Sequence, residues 1–165
     1  MTRYYRKKGS YYFASAVGEL NVVEKMKAVN AVIGGEGNGG IIVPELHYGR
    51  DALVGIALVL SYMAKSGKSL SKLRSEYPNY YIHKDKAPLD SKIDLDGVMQ
   101  KISEKYKAKK QIDIDGLKIY FDNDWVHLRR SNTEPIIRIY AESSMKQTAE
   151  SIAHKIKSDI TEMIK

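Results

Sequence analysis

The sequence predicts two folds in tandem: a mixed α/β domain, three-layered and truncated, followed by a small α+β domain whose antiparallel sheet is packed by helices. Three observations carry this. In the first half, short apolar runs alternate with segments of helical period, as in strand–helix layers. In the second half, two helical stripes bracket four alternating runs joined by tight turns. Between the halves lies a Pro- and charge-rich stretch, HKDKAPLDSK (83–92). The boundaries that follow are 1–80 for a partial α/β domain, 81–92 for a linker and first-strand region, and 93–165 for the α+β domain.

Within the first half, SYYFAS (10–15) reads as a short β run. Tyr11 and Tyr12 there, and Tyr120 and Tyr140 later, read as half-buried strand residues. ELNVVEKMKAVN sets Val22, Val23, Met26 and Val29 on one helical face. AVIGG is a short buried strand ending in glycines, and IIVPE is extended because Pro44 bars a helix interior. GRDALVGIALVLSYMAKSG is apolar almost all round, which predicts a buried helix closing on Gly67. SLSKLRSEYP is a short helix with Ser69 as its N-cap. Strands alternating with helices predict parallel pairing.

In the second half, DLDGVMQKISEKY aligns Leu95, Val98, Met99, Ile102 and Tyr106 on one stripe. QIDIDGLKIYF contains Asp115-Gly116, a hairpin signal, and DND (122–124) makes a second turn. WVHLRR and IIRIYAE are two further strands. A closing helix starts at a Ser144-x-x-Gln147 capping box and turns Ala149, Ile152, Ala153, Ile156, Ile160 and Met163 inward.

Composition excludes several classes. The 165 residues are 43% hydrophobic, enough for a core. No stretch is apolar for the roughly 18 residues of a membrane span, and no signal-peptide run opens the chain. The absence of cysteine rules out disulfides and thiolate metal sites and fits a reducing compartment, so the cytoplasm is the expected location. The net charge is +7, much of it from RYYRKK, EKYKAKK and the last helix, whose lysines alternate with acids as on a solvated face. Neither a membrane nor nucleic acid is the expected partner.

Two loops carry the chemistry. In GGEGNGG (34–40), Gly35-x-Gly37-x-x-Gly40 matches a dinucleotide fingerprint, but that motif must open a helix, and Ile41-Ile42-Val43-Pro44 is extended. A nucleotide cofactor is therefore rejected. What remains is a turn bearing Glu36 and Asn38, a carboxylate and an amide able to bond adjacent hydroxyls of a sugar. A plain tight turn with incidental polar side chains fits the same residues equally well. In VHLRRSNTEPIIRIY, strand alternation places Arg129 and Arg138 opposite the apolar face and almost symmetrically about a Ser131-Asn132-Thr133 loop. Paired guanidiniums beside short hydroxyl, amide and N–H donors make a phosphate site.

At these residues the chain resembles the α-D-phosphohexomutase family, which includes phosphoglucomutases, phosphomannomutases and phosphoglucosamine mutases. RRSNTEPIIR resembles its phosphate-binding loop and GGEGNGG its sugar-binding loop. SAVGELNVVEKM and GRDALVGIALVL are similar to the segments before and after the sugar loop, in the family's order. The resemblance implies a four-domain isomerase that interconverts hexose 1- and 6-phosphates through a phosphoserine and a bisphosphorylated sugar. It also implies Mg²⁺ on an Asp-x-Asp-x-Asp loop of the second domain, sugar reading by the third, and a clamp on the non-transferring phosphate in the fourth. Carried onto this sequence, Glu36 and Asn38 are sugar-binding, and Arg129, Ser131, Asn132, Thr133 and Arg138 are phosphate-binding.

Neither a Ser-His-Asn-Pro-like nucleophile loop nor Asp-x-Asp-x-Asp-Arg occurs, and DID (113–115) and DND (122–124) are hairpin turns. The chain thus looks like the third and fourth domains, with the third lacking its first strand and leaving an exposed sheet edge. The implied partners are a hexose phosphate and the N-terminal domains of a parent chain. By itself the polypeptide is expected to hold no catalytic residue, no Mg²⁺ ligand or other cofactor, and no mutase activity. Asn38 stands where many members have serine and Gly40 where many have histidine, so glucose, mannose and glucosamine phosphates stay open. The rival reading is a non-catalytic phosphate- or RNA-binding module, for which Glu36 has no evident use.

Overall fold

A computed structural model describes residues 9–89, 93–131 and 134–164. The chain divides after Glu76 into two units. The first contains α1 (Glu19–Val29), β1 (Gly34–Gly35), β2 (Ile41–Ile42), α2 (Ala52–Ser66) and α3 (Leu70–Ser75). As the helical period predicts, α1 buries Val22 and Met26, which meet Ile42 of β2, with Val23 packed alongside. Asn30 ends the helix in the left-handed region at φ 49°.

Three expectations fail in this unit. The strands β1 and β2 pair antiparallel, and no parallel pair occurs among the described residues. Only residues 36–40 join them, and a parallel crossover needs a dozen residues or more. The 10–15 run is irregular, with Tyr11 89% exposed and stacked on Phe13, because no neighbouring strand bonds to it. Tyr12 is likewise exposed. The third concerns α2. It begins on Asp51, whose carboxylate accepts from Val54 N, and ends on Gly67 at φ 63°. Yet none of its residues is buried, and Leu53 is 78% exposed. A helix apolar all round needs cover all round. The described part of this unit offers two strands of two residues each. Ser69 caps α3 as expected, accepting from Lys72 N.

The second unit is a five-stranded antiparallel sheet in the order β3-β7-β6-β5-β4. Its strands are β3 (Tyr81–Pro88), β4 (Gln111–Ile112), β5 (Leu117–Phe121), β6 (Asp124–Arg130) and β7 (Ile136–Ser143). The helices are α4 (Leu95–Lys105) and α5 (Lys146–Met163). Residues 81–88 are therefore not a spacer: β3 pairs along its whole length with β7 as an edge strand. The period-2 pattern sends Ile119, Val126, Leu128, Ile137, Ile139 and Ala141 to one face, all fully buried. Against them pack Val98 and Ile102 of α4 and Ala153, Ile156 and Ile160 of α5. The capping box is not formed. Met145 holds the N-cap position of α5 without a side-chain bond, and Ser143, pinned at the end of β7, accepts from Met145 N instead. No described helix is long and apolar enough to cross a membrane.

Candidate functional site

In the first unit, the loop between β1 and β2 is held by its own backbone. Glu36 N donates to Gly40 O at 3.0 Å and Gly39 N donates to Glu36 O at 3.1 Å, with Gly39 at φ 96°. A Cβ on Gly35 would lie 2.5 Å from Gly40 O, so the turn closes only without one. Asn38 Oδ1 accepts from Gly40 N at 3.0 Å, and its Nδ2 lies 3.4 Å from Glu36 Oε2. The two predicted sugar residues are thus side by side.

Sequence reasoning missed their neighbour Arg50. Its Nε and backbone N both bond the Glu19 carboxylate, at 2.8 and 3.1 Å, and its guanidinium lies 3.8 Å from Glu36 Oε2. Hydrogen bonds from the Arg50 backbone and guanidinium hold Glu19 below the usual carboxylate range, against some burial. Beside them is an open hollow lined by Glu19, Asn38, Gly39, Gly40, Arg50 and Asp51. Glu36 does not line it, although its carboxylate lies beside the Arg50 guanidinium. The Glu19–Arg50 contact spans 31 positions, which no local pattern encodes.

In the second unit, the register puts Arg129 of β6 directly opposite Arg138 of β7. Both point away from the helices, as alternation predicts, on the face opposite Leu128 and Ile139. Arg138 is exposed and approaches Ser131 Oγ at 3.5 Å, a long contact. Ser131 N donates to Ile136 O at 3.1 Å, which closes the loop base. Arg129 Nε is 3.1 Å from Asp115 Oδ2, near enough for attraction but out of line, and it has no hydrogen-bond partner. Arg130 turns the other way, to Asp96 of α4. The predicted residues Asn132 and Thr133 lie outside the described residues.

The register adds a cation that sequence reasoning missed. Lys86 of β3 pairs with Arg138, so Lys86, Arg138 and Arg129 stand abreast on three adjacent strands. The alternating lysines of HKDKAP, in the stretch read as a linker and first-strand region, were the available signal. In the next row, Lys118 and His127 are opposite one another. Burial lowers the pKa of both, and it places the Lys118 ammonium 3.7 Å above the Trp125 ring. This face of the sheet carries cations and aromatic rings, with Asp115 beside Arg129 and Glu142 bonded to Trp125 Nε1.

Mg²⁺ does not fit the described residues. Asp113 and Asp115 lie at one hairpin, Asp122 and Asp124 at another, and they form no three-carboxylate cluster.

Comparison with known proteins identifies the family. Residues 1–81 match phosphoglucomutase/phosphomannomutase, alpha/beta/alpha domain III, and residues 86–158 match the C-terminal domain of the same proteins. The chain is 38% identical over 146 residues to a phosphoglucomutase/phosphomannomutase of Thermococcus kodakarensis, covering 87% of this chain and 32% of that one. It is 36% identical to a phosphoglucosamine/phosphogalactosamine mutase of Sulfurisphaera tokodaii, covering 86% and 31%. A solved phosphoglucomutase/phosphomannomutase family protein of Burkholderia thailandensis superimposes with a TM-score of 0.76 at 22% identity, covering 96% of this chain and 34% of its own. The chain spans about a third of the length of the relatives it matches. Two consecutive domain matches across nearly all of its length place the chain in the phosphoglucomutase/phosphomannomutase family.

Proposed function

We propose that this chain is the C-terminal, substrate-binding portion of a phosphohexomutase that interconverts hexose 1- and 6-phosphates. In this reading Glu36 and Asn38 take sugar hydroxyls. Arg129, Ser131, Asn132, Thr133 and Arg138 clamp the phosphate that does not transfer. The register pair Arg129–Arg138 carries the proposal, because it sets two guanidiniums abreast beside a short hydroxyl-rich loop. Such a site supplies orientation: binding energy from the remote phosphate is directed to the reacting end of the sugar. The phosphoserine and the Mg²⁺ ligands belong to the parent's other domains, where the metal would act as a Lewis acid on the transferring phosphoryl group. The chain alone is therefore inactive as a mutase.

The test is an amide-shift titration of the isotope-labelled chain with inorganic phosphate and with hexose 6-phosphates. Residues 131–138 should shift with both ligands and Glu36 and Asn38 only with the sugar. Arg138→Ala should weaken the phosphate response about tenfold or more. An RNA-binding module would instead bind polyanions with steep salt dependence. Shifts confined to RNA addition would replace the mutase reading.

A further inference from the structure

A second cluster lies on the other side of the same sheet. The alternation of β3 turns His83 and Asp85 toward α5, opposite the buried Ala141 and Ile139 of β7. From α5, His154 meets them. The His83 and His154 rings stand edge to face with centroids 5.6 Å apart. One ring nitrogen of each and one Asp85 oxygen lie within 4.8 Å of one another. Asp85 Oδ1 already accepts from Lys157 Nζ at 2.8 Å and from Lys86 N at 2.7 Å. Its second oxygen has capacity to spare.

We propose that His83, Asp85 and His154 form a binding site for a divalent transition metal of the Zn²⁺ class, clipping the edge strand β3 to α5. The ion pair with Lys157 accounts for Asp85, but it gives no reason for two imidazoles to converge on the same carboxylate. Two imidazoles and a carboxylate suit Zn²⁺, Ni²⁺ or Cu²⁺ rather than the all-oxygen shells of Mg²⁺ and Ca²⁺. Metal–ligand distances of about 2.0–2.2 Å put tetrahedral donors about 3.3 Å apart, so donors that lie within 4.8 Å of one another must contract by up to about 1.5 Å. His154 is exposed, and on binding its ring would supply that movement. Lys157 is 39% exposed and can swing its ammonium into water when a cation takes its place. His83 also lines a small cleft with Tyr81, Ile82, Lys146 and Glu150, and solvent would complete the shell. The site is independent of the phosphate loop, on the opposite face of the sheet.

The test is calorimetric titration of the full chain with ZnCl₂ in a non-chelating buffer, paired with imidazole nitrogen shifts by NMR. One Zn²⁺ should bind per chain, with the His83 and His154 rings shifting and Mg²⁺ failing to compete. His83→Ala and His154→Ala should each weaken binding at least about tenfold, while His47→Ala leaves it unchanged. Lys157→Met should tighten binding severalfold by removing the competing ammonium, an effect opposite in sign to the loss of a structural ion pair. Absence of saturable Zn²⁺ binding, or binding unaffected by His154→Ala, overturns the proposal.

Discussion

Asp159 shows how a buried charge is kept in this chain. It is 7% exposed and accepts from Lys105 Nζ at 2.8 Å and from the Tyr106 hydroxyl at 2.5 Å. Tyr106→Phe removes one of these donors and should cost about 1–3 kcal/mol, read as a lower urea midpoint. Burial, and then the facing carboxylate, raise the Tyr106 pKa above its ordinary value. The native chain holds that proton more tightly than the unfolded chain does. The stabilisation is therefore full below about pH 10 and fades as pH rises further. Urea midpoints taken on either side of about pH 10 should show the wild type losing more than the variant. Arg129 and Arg138 were legible from sequence, because strand period and turn residues fix which way each side chain points. The Arg50–Glu19 and Tyr106–Asp159 contacts were not, because each joins residues far apart in the chain.

At the scale of elements, the turn before β5 rests on one glycine. Gly116 has φ 75°, and a Cβ there would lie 2.2 Å from the Leu128 carbonyl oxygen of β6. Gly116→Ala must strain the turn and push two backbones apart, so it should lower stability by about 1–3 kcal/mol or more. Gly37→Ala, whose Cβ meets nothing within 4 Å, is the matched control and should leave the urea midpoint almost unmoved. The elements of the second unit were legible because each has a clear period and a covering partner. Those of the first were misread where local pattern and available cover disagree. The β1–β2 pair is antiparallel because its loop is short, and α2 is solvent-exposed despite its composition. The edge strand β3 was half-read, since its charges resemble those of a linker until β7 supplies the pairing.

At the scale of the molecule, the apolar core is unevenly shared. In the second unit it runs continuously from Val98 and Ile102 through the sheet to Ile156 and Ile160. In the first it gathers around Val22, Met26 and Ile42. Hydrogen exchange should therefore be slowest in β5, β6, β7 and α5, with amides of α1 and α2 exchanging about a hundredfold faster or more. Mass-spectrometric exchange checks this, and equal protection of the two units would contradict it. The row Lys86, Arg138 and Arg129 has a consequence for folding as well as for recognition. Like charges directly opposite one another across paired strands work against the sheet that aligns them. On the proposed reading, a bound phosphate adds to the counter-charge that Asp115 already gives Arg129. It binds only the folded sheet, so its binding energy adds to the folding energy, about 2.7 kcal/mol at a hundredfold excess over Kd. The phosphate that takes no part in the chemistry is then a fastening for the domain that holds it.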